Sequence, residues 1–409
     1  MASDTGLPPG RTFQELFIIL VPSLLIPAFF LLVRKSQSAP NPYVYERLGQ
    51  KGTPNLSDEE NLEYTKPPST SKSQDWRLKA ILCHPIKSCH GFELDSAKID
   101  RAGIFWDRQF AIAEWSELKS KPGEQKKHGW KFRTLRQPGY NKLALVKPEV
   151  WLKKGSDTDG LLVVRYPLIP TGAFAPLRRL LIRIKLLPNE TSFQVPFTPP
   201  KDHDYPREVM EIFSDAPTWL NYQRHVPSSL QTVFGAKNPV TLFRVDPASY
   251  REVHGNAPKP SEIGYQPVAA AADSFPLSIQ NLASIRDVAD KVKEDIPHLS
   301  VRRFRPNLVV TGGSAFDEDD WQRIKVGDNE IICSCHTTRC KLPCVDPDTA
   351  ERHNSQPEQY LRKNRDVDEG APQKGCLGLQ MVPATDKVIE NRVGDPVQIL
   401  ERGKHFFIK

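Results

Sequence analysis

From Trp76 onward the chain is built of short runs in which apolar and polar side chains alternate. Phe92-Glu93-Leu94 and Ile182-Arg183-Ile184-Lys185-Leu186 are examples, and Gly, Pro or Asp breaks each run. Alternation with period two sends successive side chains to opposite faces of an extended chain, so these runs read as half-buried strands, and many of them predict a barrel or sandwich. The 37 prolines among 409 residues point the same way, because proline removes a backbone donor and breaks helices. Two helices stand apart: Leu282, Ile285, Val288, Ala289 and Val292 recur at helical spacing, and Pro357 to Arg365 reads as a shorter helix begun by proline. Asn307 to Thr311 reads as a strand. Ile324-Lys325-Val326 and Glu330-Ile331-Ile332, joined by Gly327-Asp328-Asn329, read as a hairpin, and Ser116 to His128 as an exposed loop between strands. The expected class is β-rich α+β.

The length suits two domains. Ahead of them, Leu16 to Val33 is an apolar run without a charge, preceded by Asp4 and Glu15 and followed by Arg34 and Lys35. It is long enough to span a bilayer and its basic flank belongs inside, which predicts a single N-terminal signal anchor over 1–35 with the span at about 16–33. Residues 36–75 are polar and Pro-rich and read as a flexible linker. The formal net charge is +7, but Lys and Arg are scattered among Asp and Glu, so no nucleic-acid partner is expected. Seven cysteines without a framework spacing argue for a reducing, cytosol-facing compartment. No phosphate-cradling G-x-x-x-x-G-K, H-E-x-x-H or G-x-S-x-G is present.

Residues 333–344 read C-S-C-H-T-T-R-C-K-L-P-C, which holds four of the seven cysteines. One reading is structural zinc on four of Cys333, Cys335, His336, Cys340 and Cys344. Another makes Cys333 a small core residue. Cys340 differs, because Arg339 and Lys341 flank it and favour its thiolate, making it the candidate nucleophile or metal ligand in a loop held by the hairpin. Thr337, Thr338 and Arg339 can together hold an oxyanion beside that sulfur. Lys87 and Ser88 in H-P-I-K-S-C, Arg108 in W-D-R, and Arg305 and Asn307 in F-R-P-N are further candidate anion contacts.

Taken together, T-T-R-C-K-L-P-C-V-D-P-D-T, F-R-P-N-L-V-V-T-G-G and H-P-I-K-S-C-H-G resemble the motifs of MOSC-domain proteins with a matching N-terminal β-barrel domain, and most closely the mitochondrial amidoxime-reducing components. The resemblance implies an N-terminal β-barrel domain over 76–204 and a MOSC β-barrel domain with a few helices over 205–409. It implies a molybdenum cofactor, with Cys340 as the catalytic thiolate on molybdenum and with Lys87, Ser88, Arg108, Arg305, Asn307, Thr338 and Arg339 around the pterin and its phosphate. The same family connection brings an expectation of pyridoxal phosphate binding.

It also implies reduction of small N-hydroxylated substrates, electrons from cytochrome b5 and NADH-cytochrome b5 reductase, and an outer mitochondrial membrane address, with the endoplasmic reticulum as the other possibility. Where those reducers carry G-Q-Y-F, this chain has Gly378-Leu379-Gln380-Met381. The rival reading is a sulfur carrier or cofactor-maturation protein using a persulfide on Cys340, and a third is a zinc-stabilised, membrane-tethered interaction module.

Overall fold

The computed structural model describes residues 39–65, 75–118, 125, 127–200 and 205–408. Its centre is an eight-stranded sheet in the order Val397–Arg402, Trp321–Val326, Asn329–Thr338, Cys376–Pro383, Leu277–Asn281, Leu308–Thr311, Arg77–Cys83 and Phe92–Leu94. Neighbours run antiparallel except Leu277–Asn281 beside Leu308–Thr311. A parallel pair needs a crossover, and the helix Leu282–Val292 is part of it. Asn281 caps that helix by accepting the Ala283 amide at 3.0 Å. The helix buries Leu282, Ile285, Val288 and Val292 against Leu82, Val309 and Leu377, each side chain contributing roughly 2 kcal/mol of apolar burial.

A five-stranded sheet (Arg207–Val209, Thr218–Asn221, Val240–Val245, Phe110–Glu117, His128–Phe132) and a four-stranded one (Tyr45–Arg47, Lys147–Lys153, Gly160–Pro167, Glu190–Pro196) complete most of the body. The sheets are open, with no pairing between their two edge strands among the described residues, so the expected closed barrels take the form of half-barrel sheets. Pairing also runs across residue 204, because Val240–Val245 lies beside Phe110–Glu117 and Leu308–Thr311 beside Arg77–Cys83.

The strands Phe92–Leu94 and Leu308–Thr311 and the helices Leu282–Val292 and Glu358–Asn364 lie where the sequence pattern puts them. Four expectations change. Residues 39–65, read as part of a free linker, are packed on the body. Tyr45–Arg47 pairs with Trp151–Lys153, Leu56 is buried beside the Leu282–Val292 helix, and the Glu59 carboxylate accepts the Val301 amide at 2.8 Å. Few apolar positions suffice there because a carboxylate of the segment satisfies a buried backbone amide and Lys79 pairs with Asp58 at 2.8 Å.

The alternating run at 182–186 is no strand, since Ala175–Arg183 is a helix that ends inside it. The hairpin loop is two residues, Gly327 and Asp328, with Gly327 at φ +59°, so Val326 faces Asn329 directly. The cysteine cluster begins within the ladder: the strand runs on to Thr338, and only Cys340 and Cys344 lie beyond it. The apolar run 16–33 falls outside the described residues, and among those described no helix is long and apolar enough to cross a membrane.

The Gly312-Gly313 pair has a physical reason. Gly312 sits at φ +117°, and a Cβ on Gly313 would overlap the Trp76 ring, itself packed edge-on to Trp321 at 4.8 Å. Gly313→Ala should therefore cost about 2 to 3 kcal/mol and lower Tm by roughly 5 °C in a thermal melt. An unchanged Tm would contradict this packing.

Candidate functional site: a cation-walled pocket beside Cys340

Lys87, Ser88, Arg108, Arg305, Asn307, Thr337, Thr338, Arg339 and Cys340 all line one cavity of about 280 Å³. They come from four places: the segment after Arg77–Cys83, the turn before Phe110–Glu117, the turn before Leu308–Thr311, and the end of Asn329–Thr338. Backbone bonds draw these together. Lys87 donates its amide to Phe110 at 2.7 Å, Arg108 to His84 at 2.8 Å, and Leu82 to Asn307 at 2.8 Å. Ser88, Arg108 and Arg305 all hold positive φ, at 67°, 50° and 55°. Non-glycine residues adopt that region at a cost, and such positions cluster at functional sites.

Six cations line the cavity (Lys87, Arg108, Arg136, Arg305, Arg339, Lys374) against one carboxylate, Asp273. That imbalance is what an anionic ligand would neutralise. Four of the six, Lys87, Arg108, Arg305 and Arg339, are positioned by backbone oxygen. Lys87 Nζ donates to the Ala271 carbonyl at 2.7 Å and pairs with Asp273; burial lowers its pKa, and the Asp273 charge offsets part of that. Arg108 donates to the Arg305 carbonyl at 2.7 Å and pairs with Asp107. Burial pushes the Asp107 carboxyl up, but Arg108 and His84 outweigh it and hold the group well below the usual carboxylate range. Burial brings both Arg305 and Arg339 down to about 10, which leaves them cationic near neutrality.

A local irregularity places Arg339. Between His336 and Thr338 the ladder with Cys376–Pro383 loses register, and Gly378 takes φ +71°. The Leu377 carbonyl then accepts Arg339 Nε at 2.9 Å and Gln280 Nε2 at 2.8 Å, while Arg339 Nη1 donates to Phe304 at 3.1 Å. Asn307 works differently from the cations. Its Oδ1 accepts the Ser278 amide at 3.2 Å and Arg108 at 3.3 Å, so its side chain positions Arg108.

Of the seven cysteines, only Cys340 is not buried. Burial pushes Cys89 and Cys376 up to about 12 and raises Cys83, Cys333, Cys335 and Cys344 as well, so those thiols stay protonated. The zinc reading is not met: among the described residues no group of three or more His, Cys, Asp or Glu converges on a metal position. An irregularity at Ser334 breaks the alternation of the strand, so that Cys333 packs in the main core and Cys335 in a separate cluster, while Cys344 Sγ faces the Ser355 carbonyl at 3.7 Å.

Three lining groups have a buried polar atom without a protein partner: Thr337 Oγ1, His336 Nε2 and Arg305 Nη2. Buried polar atoms rarely stay unpaired, so a hydrogen-bonding ligand fits this cavity. His336 is oriented by Asp368, whose Oδ2 accepts from Nδ1 at 2.8 Å, and Nε2 is the ring nitrogen left without a protein partner. Sequence reasoning missed Arg136, Asp273 and Lys374, which stand in loops without a recognisable motif. It treated His336 only as a zinc ligand, and Gln380, noted as a departure from the family pattern, lines the cavity wall.

A β-rich scaffold that gathers cations around one accessible thiol at a strand end agrees with the family models. Residues 76–175 match the MOSC N-terminal beta barrel domain and residues 266–398 the MOSC domain, so the chain belongs with the MOSC-domain proteins. Mitochondrial amidoxime reducing component 2 of Homo sapiens is 34% identical over 130 residues, 31% of this chain and 38% of its own length. Mitochondrial amidoxime-reducing component 1 of Danio rerio is 31% identical over 166 residues, 40% of this chain and 48% of its own. The molybdenum cofactor sulfurase of Botryotinia fuckeliana is 26% identical over 336 residues, 72% of this chain and 38% of its own. The chain thus spans less than half the length of these relatives. Neither the two domain descriptions nor these three names carry pyridoxal phosphate, and that expectation has no support.

Proposed function

We propose that the chain is a molybdenum-cofactor-dependent reductase of N-hydroxylated compounds such as amidoximes and hydroxylamines. In this reading it takes electrons from cytochrome b5 and NADH-cytochrome b5 reductase, and its apolar run 16–33 anchors it in the mitochondrial outer membrane. The supporting observation is the convergence of nine residues from four separate segments on one cavity where cations outnumber carboxylates six to one. Relatives named as amidoxime-reducing components support the same direction.

In this assignment Cys340 would provide the thiolate ligand, Lys87, Arg136, Arg305 and Lys374 would meet the anionic part of the cofactor, and Thr337 Oγ1 would be free to hydrogen-bond it. The bound cofactor would supply the two-electron couple. Conversion of R–NHOH to R–NH2 and water also consumes two protons, and His336 Nε2 is an unpartnered ring nitrogen on the cavity wall able to carry one. Arg339, tied to the carbonyls of Leu377 and Phe304, fixes the strand end that carries Cys340.

The test is reconstitution of the full chain with cytochrome b5, its flavin reductase and NADH on benzamidoxime. The expected result is benzamidine formation that stops when any one component is omitted; no benzamidine with the complete system overturns the reading. The sulfur-carrier alternative draws on the Botryotinia relative, whose alignment covers most of this chain. It predicts sulfane sulfur on Cys340 in protein free of molybdenum.

A further inference from the structure

The helix Ala175–Arg183 begins at the last residue of the N-terminal domain match and lies ahead of the MOSC match. A surface helix normally turns its apolar stripe inward. Here the stripe faces out: Leu177, Leu180 and Ile184 are each 53% exposed, Phe174 71% and Leu186 54%. Leu177, Leu180 and Ile184 follow one another at i, i+3 and i+7, so they share one face, while Ala175 and Leu187 at the two ends are buried. Arg178, Arg179, Arg183 and Lys185 flank this face, and residues 169–189 contain no Asp or Glu. None of the four cations has a carboxylate partner among the described residues.

We infer that this segment docks on an anionic lipid surface. An apolar face bordered by Arg and Lys suits the boundary between headgroups and acyl chains, where long basic side chains reach the lipid phosphates while Leu, Ile and Phe sink below them. Residues 173–187 carry only apolar and cationic side chains, with no neutral hydrogen-bonding group for directional recognition of a protein groove. Pairing with a second copy would bring eight cations together on two chains that each carry net +7. The inference stands independently of the enzyme assignment and of the anchor at 16–33.

The experiment is hydrogen exchange on the full chain reconstituted in phosphatidylcholine vesicles, with and without about a third phosphatidylserine. The amides of 175–186 are expected to exchange at least about tenfold more slowly on the anionic vesicles, and high salt should reverse most of that. The variant Arg178→Glu/Arg179→Glu/Arg183→Glu/Lys185→Glu should lose the difference; its altered side chains are exposed, and an unchanged melting curve confirms its fold. Equal protection on neutral vesicles, which points to a second copy or a protein partner, overturns the inference. So does the absence of protection on either.

Discussion

Cys340→Ser is expected to remove the proposed benzamidoxime reduction while leaving the fold intact. Serine has nearly the volume of cysteine but no soft thiolate, so the substitution deletes the proposed metal ligand and little else. Cys340 lies past the strand end and is only part-buried, so the stability change should stay within about 0.5 kcal/mol. Reduction by the reconstituted chain should fall to background. Cys333→Ser is the control with the opposite profile. It places a hydroxyl in the main core, costing about 1 to 3 kcal/mol, yet turnover by the folded fraction should persist. Measurable reduction by the Cys340 variant would remove this residue from the site.

The second large effect concerns Glu318, fully buried in the turn Asp317–Asp320 against the start of the Leu282–Val292 helix. Its Oε2 accepts Asn281 Nδ2 and Ser284 Oγ, each at 2.9 Å, while Oε1 is buried without a partner. Burial, reinforced by Asp319, pushes the carboxyl up to about 7 from 4.5. A raised folded-state pKa means that the protonated native form is favoured. Below pH ~4.5 both states hold the proton, and between pH ~4.5 and ~7 unfolding releases it, so stability falls as pH rises. The loss should reach on the order of 3 kcal/mol by pH ~8. Glu318→Gln keeps an acceptor for Asn281 and Ser284 but cannot ionise. Chemical denaturation of both proteins from pH ~4.5 to ~8 should show the variant gaining on the wild type by about that amount. A constant difference across that range would mean Glu318 does not titrate there.

Much of this was legible in the sequence, for identifiable reasons. Strand periodicity located Phe92–Leu94 and Leu308–Thr311, and helical spacing located Leu282–Val292, because burial decides those patterns. The run at 182–186 misled because a helix end with its apolar side outward also alternates over five residues. The segment 39–65 looked like a linker because it buries little; carboxylate caps and one edge strand hold it, and neither is an apolar signal.

At the site, charged residues at strand ends were readable as motifs. Asp273 and Arg136 were not, since they act through each other and Lys87 across more than one hundred residues of sequence. The placement of Arg339 depends on a register shift, and no residue pattern announces that. The His336–Asp368 contact joins residues on either side of the short helix Glu358–Asn364, beyond the reach of spacing arguments.

In the proposed reading the cation-walled cavity holds an anionic molybdenum cofactor on Cys340. Metal and pterin content of the full chain, purified from cells able to make that cofactor, tests it most directly. Molybdenum and pterin are expected together at ~1 per chain. Protein that carries neither, or that carries zinc in their place, would contradict it.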